Sequence, residues 1–251
     1  MEVAFHHFLY LQKTDCAVSS GLFVDVKALI KRNIRRKARL YMFIVKDGYI
    51  YVGVSLLLAA IVYYFFGAVW AVIPVVLALY FAYFFRDFHR VTPYDPNILY
   101  SPADGTVMGV DEIFDDEYLN EPAIKVTIFL SVFNVHTNRA PLDGEIKYQR
   151  YTCGQFVPAY EKNASFENER HAIGMDNGRM RFLVIQIAGL LARRIVSWVT
   201  VGTKLQQGET YGMIKFGSST ELVVPRNVEI TVKKGDKVVG GITVVGRVKE
   251  Q

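Results

Sequence analysis

The longest apolar segment of the chain extends from Tyr49 to Phe85 and contains no charged residue. Its only strongly polar side chain is Ser55. As one straight helix, these 37 residues would be about 55 Å long, nearly twice the thickness of the hydrocarbon core of a bilayer. Gly67 lies at the midpoint and Pro74 in the second half, so two helices of about 18 residues each fit better. The pattern therefore predicts a helical membrane hairpin over residues 49–85.

Basic residues flank this predicted hairpin on both sides. Lys46 precedes it, Arg86 and Arg90 follow it, and its central turn carries no charge. Because Lys and Arg favour the cytoplasmic side of a membrane, we expect both ends of the hairpin, and the domain that follows, on the cytoplasmic side of the cell membrane. A buried helical pair in a soluble core is the less favoured alternative, since core helices seldom run this long without polar residues. Aromatic residues near the two ends predict an interfacial belt: Tyr49, Tyr51, Tyr83, Phe84 and Phe85.

The basic excess of the chain lies in its N-terminal segment, residues 1–48. Residues 1–50 contain nine Lys and Arg against four Asp and Glu, whereas residues 51–251 contain twenty of each. This balance in the main domain argues against a nucleic-acid partner. The run from Lys27 to Arg39 is either a basic helix on anionic lipid or a solvated charged segment. The first residues lack the basic start and the long apolar core of a secretory signal, so no cleaved signal is expected.

Beyond Phe85 the sequence changes to short apolar runs separated by turn residues. The stretches "IKVTIFLSV" and "RFLVIQIAG" are typical of buried strands, and "VEITVKKGDKVVGGITVVGRV" alternates in the way of short hairpins. The pairs Asp104-Gly105 and Asp143-Gly144 predict tight turns. No long helix is expected beyond about residue 100. Residues 86–251 are therefore predicted to form one mainly β domain of the α+β class, a folded sheet or barrel-like sandwich.

Few side chains of the chain suggest chemistry by their pattern. Cys16 and Cys153 form no disulfide framework and match no zinc or redox motif, which favours a reducing compartment. No group of histidines and carboxylates has metal-ligand spacing, so no metal is predicted. His136 directly follows an apolar strand in "SVFNVHTNRAP" and is either a satisfied structural histidine or a functional one. His89 and His171 are weaker candidates.

One strand-rich segment, "GMIKFGSSTELVVP" at residues 212–225, places Gly217, Ser218 and Ser219 in its middle. Glycine weakens strand pairing, and small polar side chains bury little surface. A bulge or a tight turn explains this pattern. The alternative is a backbone bond that is meant to be attacked, because glycine lets the hydroxyl of the following serine approach its carbonyl. The segment alone leaves both explanations open.

Four motifs together give the sequence a specific resemblance. They are "SPADG" with Asp104, "FLSVFNVHTNRAP" with His136, "GQFVPAYEKNASFENER" and "GMIKFGSSTELVVP". The same motifs occur in the same order and with similar spacing in the phosphatidylserine decarboxylase proenzymes. The chain resembles the short microbial branch of that family over roughly residues 42–247, which include the "FFRDF" exit of the hairpin and the closing "VKKGDKVVGGITVVG".

The resemblance implies that the chain cleaves itself between Gly217 and Ser218. The family pattern implies that His136 is the base that activates the serine hydroxyl and that Asp104 orients this base. Cleavage would leave a β chain, residues 1–217, and an α chain, residues 218–251. The first residue of the α chain would become a covalent pyruvoyl cofactor.

The chain departs from the pattern of the short branch at two points. An arginine usually follows the reactive serine there, whereas Ser219 and Thr220 follow here, closer to the Gly-Ser-Thr of the longer branch. Alignment without a gap still places Ser218 at the reactive position. The hairpin exit has Asp87-Phe88 where the family commonly has Asp-Pro, a change expected to affect only the local turn.

The resemblance also implies a reaction and its partners. A pyruvoyl group would accept the electrons released when the serine head group of phosphatidylserine, or of a related serine phospholipid, loses carbon dioxide. The product would carry an ethanolamine head group. The expected partners are the serine phospholipid, the membrane and a second copy of the chain in a homodimer. A membrane-anchored adaptor with a lipoyl-like β module, which catalyses nothing, is the alternative, and it would need a helical hairpin between the two halves of that module.

Overall fold

The computed structural model describes residues 42–154, 168–189, 194–215 and 218–248. The expectations for the segment before residue 42, and for Gly217, concern residues outside these ranges. Two helices, α1 (Lys46–Phe66) and α2 (Ala68–Phe84), follow the first strand. The strands of the described residues are β1 (Met42–Ile44), β2 (Arg86–Phe88), β3 (Ile98–Tyr100), β4 (Gly105–Asp115), β5 (Glu121–Leu130), β6 (Thr137–Arg139), β7 (Gly144–Thr152), β8 (Arg170–Asp176), β9 (Arg181–Ala188), β10 (Arg194–Ser197), β11 (Lys204–Leu205), β12 (Thr210–Lys215), β13 (Ser218–Pro225), β14 (Val228–Ile230), β15 (Lys237–Val238) and β16 (Val244–Val248).

The two helices form the hairpin that the apolar segment predicted. Gly67 separates them with a φ of 82°, in the left-handed region that glycine tolerates best. Helix α1 has 21 residues, a length of about 31 Å, and is long and apolar enough to cross a bilayer. Helix α2 has 17 residues and, at about 26 Å, is shorter than a typical span.

Small side chains let the two helices pack closely. Ser55 and Ala59 of α1 are buried, as are Ala71 and Ala78 of α2. The Ser55 hydroxyl donates to the Tyr51 carbonyl at 2.8 Å, so this polar group is satisfied inside its own helix. Small residues at the contact and apolar residues outside are typical of helices that pack in lipid. The exposed large apolar side chains include Leu56, Leu57, Leu58, Ile61, Val69, Trp70, Val72 and Ile73.

The prediction of an aromatic belt is wrong for Phe84 and Phe85. Both side chains are fully buried and pack in one cluster with Met213 of β12. A side chain added at Gly48 would lie 2.4 Å from Phe85 Cβ, so glycine allows the first turn of α1 to approach this ring. The two phenylalanines therefore dock the base of the hairpin on the β domain.

A buried ion pair fixes the exit of the hairpin. The Asp87 carboxylate accepts two hydrogen bonds from Arg139 Nη2, at 2.9 and 2.8 Å, and both side chains are buried. Removing one partner of such a pair costs about 3–5 kcal/mol, because the other charge is left buried and alone. Phe88 pairs with Met42 in the β1–β2 ladder, so the Asp87-Phe88 step belongs to a strand and not, as the sequence suggested, to a local turn.

The β domain is built around a curled, half-barrel sheet, which confirms the predicted fold class. The main sheet has eight strands in the order β11-β7-β8-β9-β13-β5-β4-β15. The other sheets of the described residues are two of three strands, β10-β12-β6 and β14-β16-β3, and the two-stranded β1-β2. Neighbouring strands within the described residues are antiparallel.

Strand β13 shows how the sequence divides the two faces of the main sheet. Leu222 packs in the larger core cluster, whereas Val223 packs in a smaller cluster on the opposite face. Side chains alternate along a strand, so Ser218 and Thr220 belong to the face of Leu222. Ser219 belongs to the face of Val223. The two adjacent serines therefore lie in different environments.

The two Asp-Gly pairs do not form the tight turns that the sequence predicted. Gly105 and Gly144 are the first residues of β4 and β7, and neither has a positive φ. A side chain added at Gly105 would lie 2.1 Å from the carbonyl oxygen of Phe129 on the neighbouring strand. Glycine is thus needed for a close approach of two backbones. This approach places the preceding residue, Asp104, beside the end of β5.

Candidate active site

Strand register brings the three predicted site residues to one end of the main sheet. Strands β4, β5 and β13 lie side by side. Leu130, the last residue of β5, pairs with Ser218, the first residue of β13. Asp104 directly precedes β4, and His136 follows β5 after a turn at residues 131–135.

Ser218 is fully buried, and its hydroxyl has no hydrogen-bond partner within the described residues. It lies in register between Leu130 on β5 and Ala188 on β9. A buried polar group without a partner costs about 1–3 kcal/mol, and native proteins contain few of them. The buried hydroxyls of Thr137 and Tyr211 also lack a partner among the described residues, so the Gly-Ser motif of the sequence is what singles out Ser218 as a candidate nucleophile.

His136 is also fully buried and has one ring nitrogen available. Its Nδ1 lies 3.0 Å from the carbonyl oxygen of Asn134, which can only accept, so Nδ1 carries the proton. Nε2 is buried and has no hydrogen-bond partner in the described part of the chain. The Phe84 ring packs on the imidazole at a centroid distance of 4.4 Å and shields it from water. The neutral ring therefore presents an unshared electron pair at Nε2.

Burial keeps this imidazole neutral. The pKa of His136 is lowered from 6.5 to about 4, chiefly because burial penalises the charged ring. The hydrogen bond to the Asn134 carbonyl and the charge of Asp104 raise this pKa, whereas the charge of Arg86 lowers it. At neutral pH the ring is thus an unprotonated base.

Arg90, and not His136, holds the carboxylate of Asp104. Arg90 Nη1 donates to Oδ1 at 2.5 Å and Nη2 donates to Oδ2 at 2.9 Å. The N–H of Gly240 donates to Oδ1 at 2.8 Å. A two-pronged bond to a guanidinium is among the strongest that a carboxylate forms, which explains why it prevails here. In this structure the Asn134 carbonyl fixes the tautomer of His136, a role that the resemblance assigned to Asp104.

A buried hydrogen bond joins the strand that follows His136 to the strand that begins with Ser218. Asn138 Nδ2 on β6 donates to Thr220 Oγ1 on β13 at 2.8 Å, and both residues are fully buried. Asn138 comes two residues after His136, and Thr220 comes two residues after Ser218. This bond therefore ties the start of β6 to the start of β13, on the face of the sheet to which Ser218 belongs.

The hydrogen bond of Asn138 continues into a longer buried chain. Gln186 Nε2 donates to Asn138 Oδ1 at 2.8 Å, and Gln186 Oε1 lies 3.1 Å from Nδ1 of His171. Nε2 of His171 lies 2.9 Å from Gln149 Nε2. Burial lowers the pKa of His171 despite its hydrogen bond to Gln186. Both ring nitrogens have partners, so His171 is a satisfied structural histidine.

The pattern of the sequence does not reveal the partners that hold the site. Arg90 stands out only as a charge that flanks the hairpin, and the Asn134 carbonyl has no signal because every residue carries one. Gln186 is the exception. A lone amide in the apolar run "FLVIQIA" must find a buried partner, so it could have indicated the polar chain.

These features define a class of site. A buried serine hydroxyl without a partner and a neutral histidine with an open Nε2 are the components of a nucleophile and its base. Both lie at one end of the main sheet. The arrangement suits an enzyme in which a serine forms or breaks an acyl bond.

Comparison with known proteins identifies the family. A family model described as phosphatidylserine decarboxylase matches residues 77–246. The phosphatidylserine decarboxylase proenzyme of Carboxydothermus hydrogenoformans is 45% identical over 208 residues, which are 81% of this chain and 96% of the relative. The proenzyme of that name from Symbiobacterium thermophilum is 42% identical, over 82% of this chain and 96% of its own length. The one from Syntrophus aciditrophicus is 41% identical, over 81% of this chain and 97% of its own length. The chain belongs to the phosphatidylserine decarboxylase family, as its motifs predicted.

Family membership makes the chain an enzyme of the decarboxylase class. The alternative of a non-enzymatic adaptor is therefore wrong. That alternative also required a helical hairpin between two halves of the β module, and the described residues after Phe84 contain strands and no helix.

Proposed function

We propose that this enzyme removes the carboxylate from the serine head group of phosphatidylserine, or of a related serine phospholipid, through a pyruvoyl group made from Ser218. One observation carries the proposal: Ser218 Oγ and His136 Nε2 are both buried and unpartnered, within the described residues, at one end of the main sheet. The relatives are named proenzymes, which supports a chain that is processed before it acts.

Self-cleavage at the Gly217–Ser218 bond follows from the chemistry of these residues. His136 Nε2 accepts the hydroxyl proton while Ser218 Oγ attacks the carbonyl carbon of Gly217. The peptide C–N bond breaks, the freed amine of Ser218 takes up the proton, and an ester remains. Loss of the α proton of Ser218 then expels Gly217 as a carboxylate and leaves a carbon–carbon double bond. A proton shift and the addition of water release ammonia and leave a ketone.

The site fits a pyruvoyl group at position 218. The group would be formed from the atoms of Ser218 itself. The Ser218 hydroxyl makes no hydrogen bond among the described residues, so its loss would break none. The ketone supplies an acceptor for the electrons released as carbon dioxide leaves the substrate. His136 excludes water together with Phe84, and its Nε2, once protonated, is the candidate donor to the carbon that loses carbon dioxide.

The hairpin gives this site access to a lipid. Phe84, in the last turn of α2, packs directly on the ring of His136, so the base lies next to the end of the membrane segment. A serine phospholipid in the bilayer presents its head group at that depth. The homodimer is part of the same proposal, and light scattering of the purified protein tests it.

The proposed reaction predicts that the purified protein converts phosphatidylserine into phosphatidylethanolamine in vesicles. One carbon dioxide should be released for each lipid converted, measured with a label in the serine carboxyl group. The Ser218→Ala variant is the matched control and should release none. A cleaved wild-type chain that leaves every serine phospholipid unchanged would contradict the proposal.

The positive flanks of the hairpin predict a cytoplasmic β domain. Lys46 and Arg86 lie at the two ends of the helical pair, and no charged residue lies near Gly67. Protease added outside sealed cells should therefore leave the β domain intact, while the same protease should digest it after the cells are opened. Digestion of the domain in sealed cells would show that the orientation is reversed.

A further inference from the structure

Phe133 is a large apolar side chain that the fold leaves exposed beside the candidate site. It lies in the turn between β5 and β6, and 69% of its surface is exposed. His136, three residues further along, is fully buried. An exposed phenylalanine this close to a candidate base requires a physical explanation, because burial of such a ring is strongly favourable.

The turn that carries Phe133 is held in one shape by its own hydrogen bonds. The backbone N–H and the hydroxyl of Ser131 both donate to Asn134 Oδ1, at 2.9 and 2.7 Å. The N–H of Asn134 donates to the Ser131 carbonyl at 2.9 Å. The ring is therefore presented outward on a fixed turn.

The turn is also fastened to the end of the hairpin. Arg86 Nη2 donates to the Phe133 carbonyl at 2.7 Å, and Nη1 donates to the Tyr83 carbonyl at 2.6 Å. The Arg86 guanidinium lies 3.7 Å from the centre of the Tyr83 ring. These contacts place Phe133 beside the last turn of α2, at the end of the hairpin that meets the β domain.

Two further apolar side chains are exposed at the same end of the hairpin. Met42 and Phe43 of β1 are 60% and 48% exposed. Strand β1 pairs with β2, where Ile44 lies opposite Arg86, the residue that holds the Phe133 turn. Side chains alternate along a strand, so Met42 belongs to the face of Ile44 and Arg86, and Phe43 belongs to the opposite face. Met42 and Phe133 are together called the apolar rim.

We propose that the apolar rim enters the head-group layer of the phospholipid bilayer and so holds the candidate site at the membrane surface. The proposal rests on the proposed function, since it supposes a lipid substrate. The rim continues the apolar exterior of α1 and α2, which favours a bilayer over another protein as its partner. Lys46, which is exposed at the start of α1, lies near the rim, where a cation matches the phosphates of the lipids.

The test places a fluorescent probe at the rim of the full-length chain. Cys16 and Cys153 are replaced by serine, Phe133→Cys provides one thiol, and a nitrobenzoxadiazole dye labels it. The background is the Ser218→Ala precursor, in vesicles of phosphatidylcholine and phosphatidylglycerol. Phe114→Cys is the matched control, because Phe114 is 62% exposed but lies near the far end of β4, about 30 Å along the strand from Gly105.

The dye at position 133 should show a blue-shifted emission and should be quenched by lipids that carry a spin label near the head group. The dye at position 114 should show neither effect. Equal quenching at both positions would overturn the proposal. A blue shift at position 133 that depends on protein concentration, without quenching by the spin-labelled lipids, would also overturn the proposal. A second copy of the chain would then cover the rim. Lipid contact is read in an uncleaved chain, so this result is independent of whether decarboxylation occurs.

A kinetic readout separates lipid contact from a role in the site. Phe133→Ser in the processed enzyme should lower activity on phosphatidylserine in vesicles about tenfold more than activity on a dispersed short-chain phosphatidylserine. This factor corresponds to the partial burial of one phenylalanine. Phe114→Ser should leave the ratio of the two activities unchanged. Equal losses of Phe133→Ser on both substrates would overturn the proposal.

Discussion

The Ser218→Ala variant should remain one uncut chain without decarboxylase activity, because the substitution removes the attacking oxygen. The wild-type protein should instead release a 34-residue fragment, residues 218–251. Intact mass spectrometry distinguishes the two. The fragment should begin with a ketone in place of an amine, so it should resist Edman degradation and react with hydrazine. Cyanoborohydride in the presence of phosphatidylserine should attach the lipid amine to this fragment only.

Ser219→Ala is the matched control for Ser218→Ala. Ser218 belongs to the face of β13 that Asn138 contacts through Thr220, whereas Ser219 belongs to the opposite face. The Ser219→Ala chain should therefore still cleave. If the Ser219 hydroxyl stabilises the developing oxyanion, its loss should slow cleavage by at most about 10²-fold to 10³-fold. A fragment of 33 residues that begins at position 219 would instead identify Ser219 as the reactive residue.

The Ser218→Thr variant tests the role of the hydroxyl oxygen at position 218 without removing it. The variant keeps the hydroxyl but adds a methyl group, which restricts the rotamer and must fit where Ser218 is fully buried. Cleavage should slow. The product should carry a 2-ketobutyryl group, one methylene heavier than pyruvoyl, which mass spectrometry resolves. An uncut Ser218→Thr chain would show that packing at this position tolerates no larger nucleophile.

The sequence predicts the elements of this fold well because their signals are local. The uncharged run that Gly67 divides gives the hairpin, and the apolar runs "GMIK" and "STELVVP" give the strands β12 and β13. The predictions failed where a contact from another part of the chain decides the role of a residue. Phe84 looks like an interfacial aromatic, but Met213 and His136 bury it. Gly105 looks like a turn residue, but the carbonyl of Phe129 is what excludes a side chain there.

In the candidate site too, local motifs predict which residues take part, and contacts between distant parts of the chain decide their partners. The motifs single out Asp104, His136 and Ser218, and strand register brings all three to one end of the sheet. The pattern could not show that Asp104 is bonded to Arg90 and Gly240, because such pairings depend on how distant loops meet. It also could not show the low pKa of His136, which results from burial rather than from neighbouring residues in sequence.

His136→Ala should slow self-cleavage by about 10²-fold to 10⁴-fold, the usual contribution of a general base. The rate is measured on precursor made by cell-free translation into vesicles. His171→Ala is the matched control, since it also removes a buried imidazole but one whose nitrogens both have partners. It should slow cleavage far less. If His171→Ala blocks cleavage and His136→Ala does not, the base has been misassigned.

The low pKa of His136 predicts an unusual pH profile for self-cleavage. The ring is neutral above a pKa of about 4, so the rate should stay level from pH 8 to about pH 5.5 and fall by half near pH 4. An ordinary histidine would lose half of the rate near pH 6.5. A base with a pKa this low accelerates proton removal less than an ordinary histidine does. Self-cleavage can tolerate the slower rate, because it occurs only once in each chain.

Folding stability should fall over part of the same acid range and must be followed in parallel. The folded pKa of His136 lies below its unfolded value, so the unfolded chain binds the proton first as pH falls. The contribution of His136 to the free energy of unfolding is fully present above pH 6.5. It is lost as the pH falls to about 4, and the whole loss is about 3 kcal/mol. Circular dichroism at each pH shows whether a lost rate reflects a protonated base or an unfolded chain.

Added imidazole distinguishes a base from a residue that only fills space. In His136→Ala the missing ring leaves a cavity against Phe84, which free imidazole can occupy. Cleavage should return in proportion to the imidazole concentration, and its midpoint should move up from about pH 4 toward the pKa of free imidazole, because the rescuing base is now protonated in water. Benzene is the matched control, since it fills the same cavity and accepts no proton. Rescue by benzene as well as by imidazole would assign His136 to packing and leave Ser218 without its base.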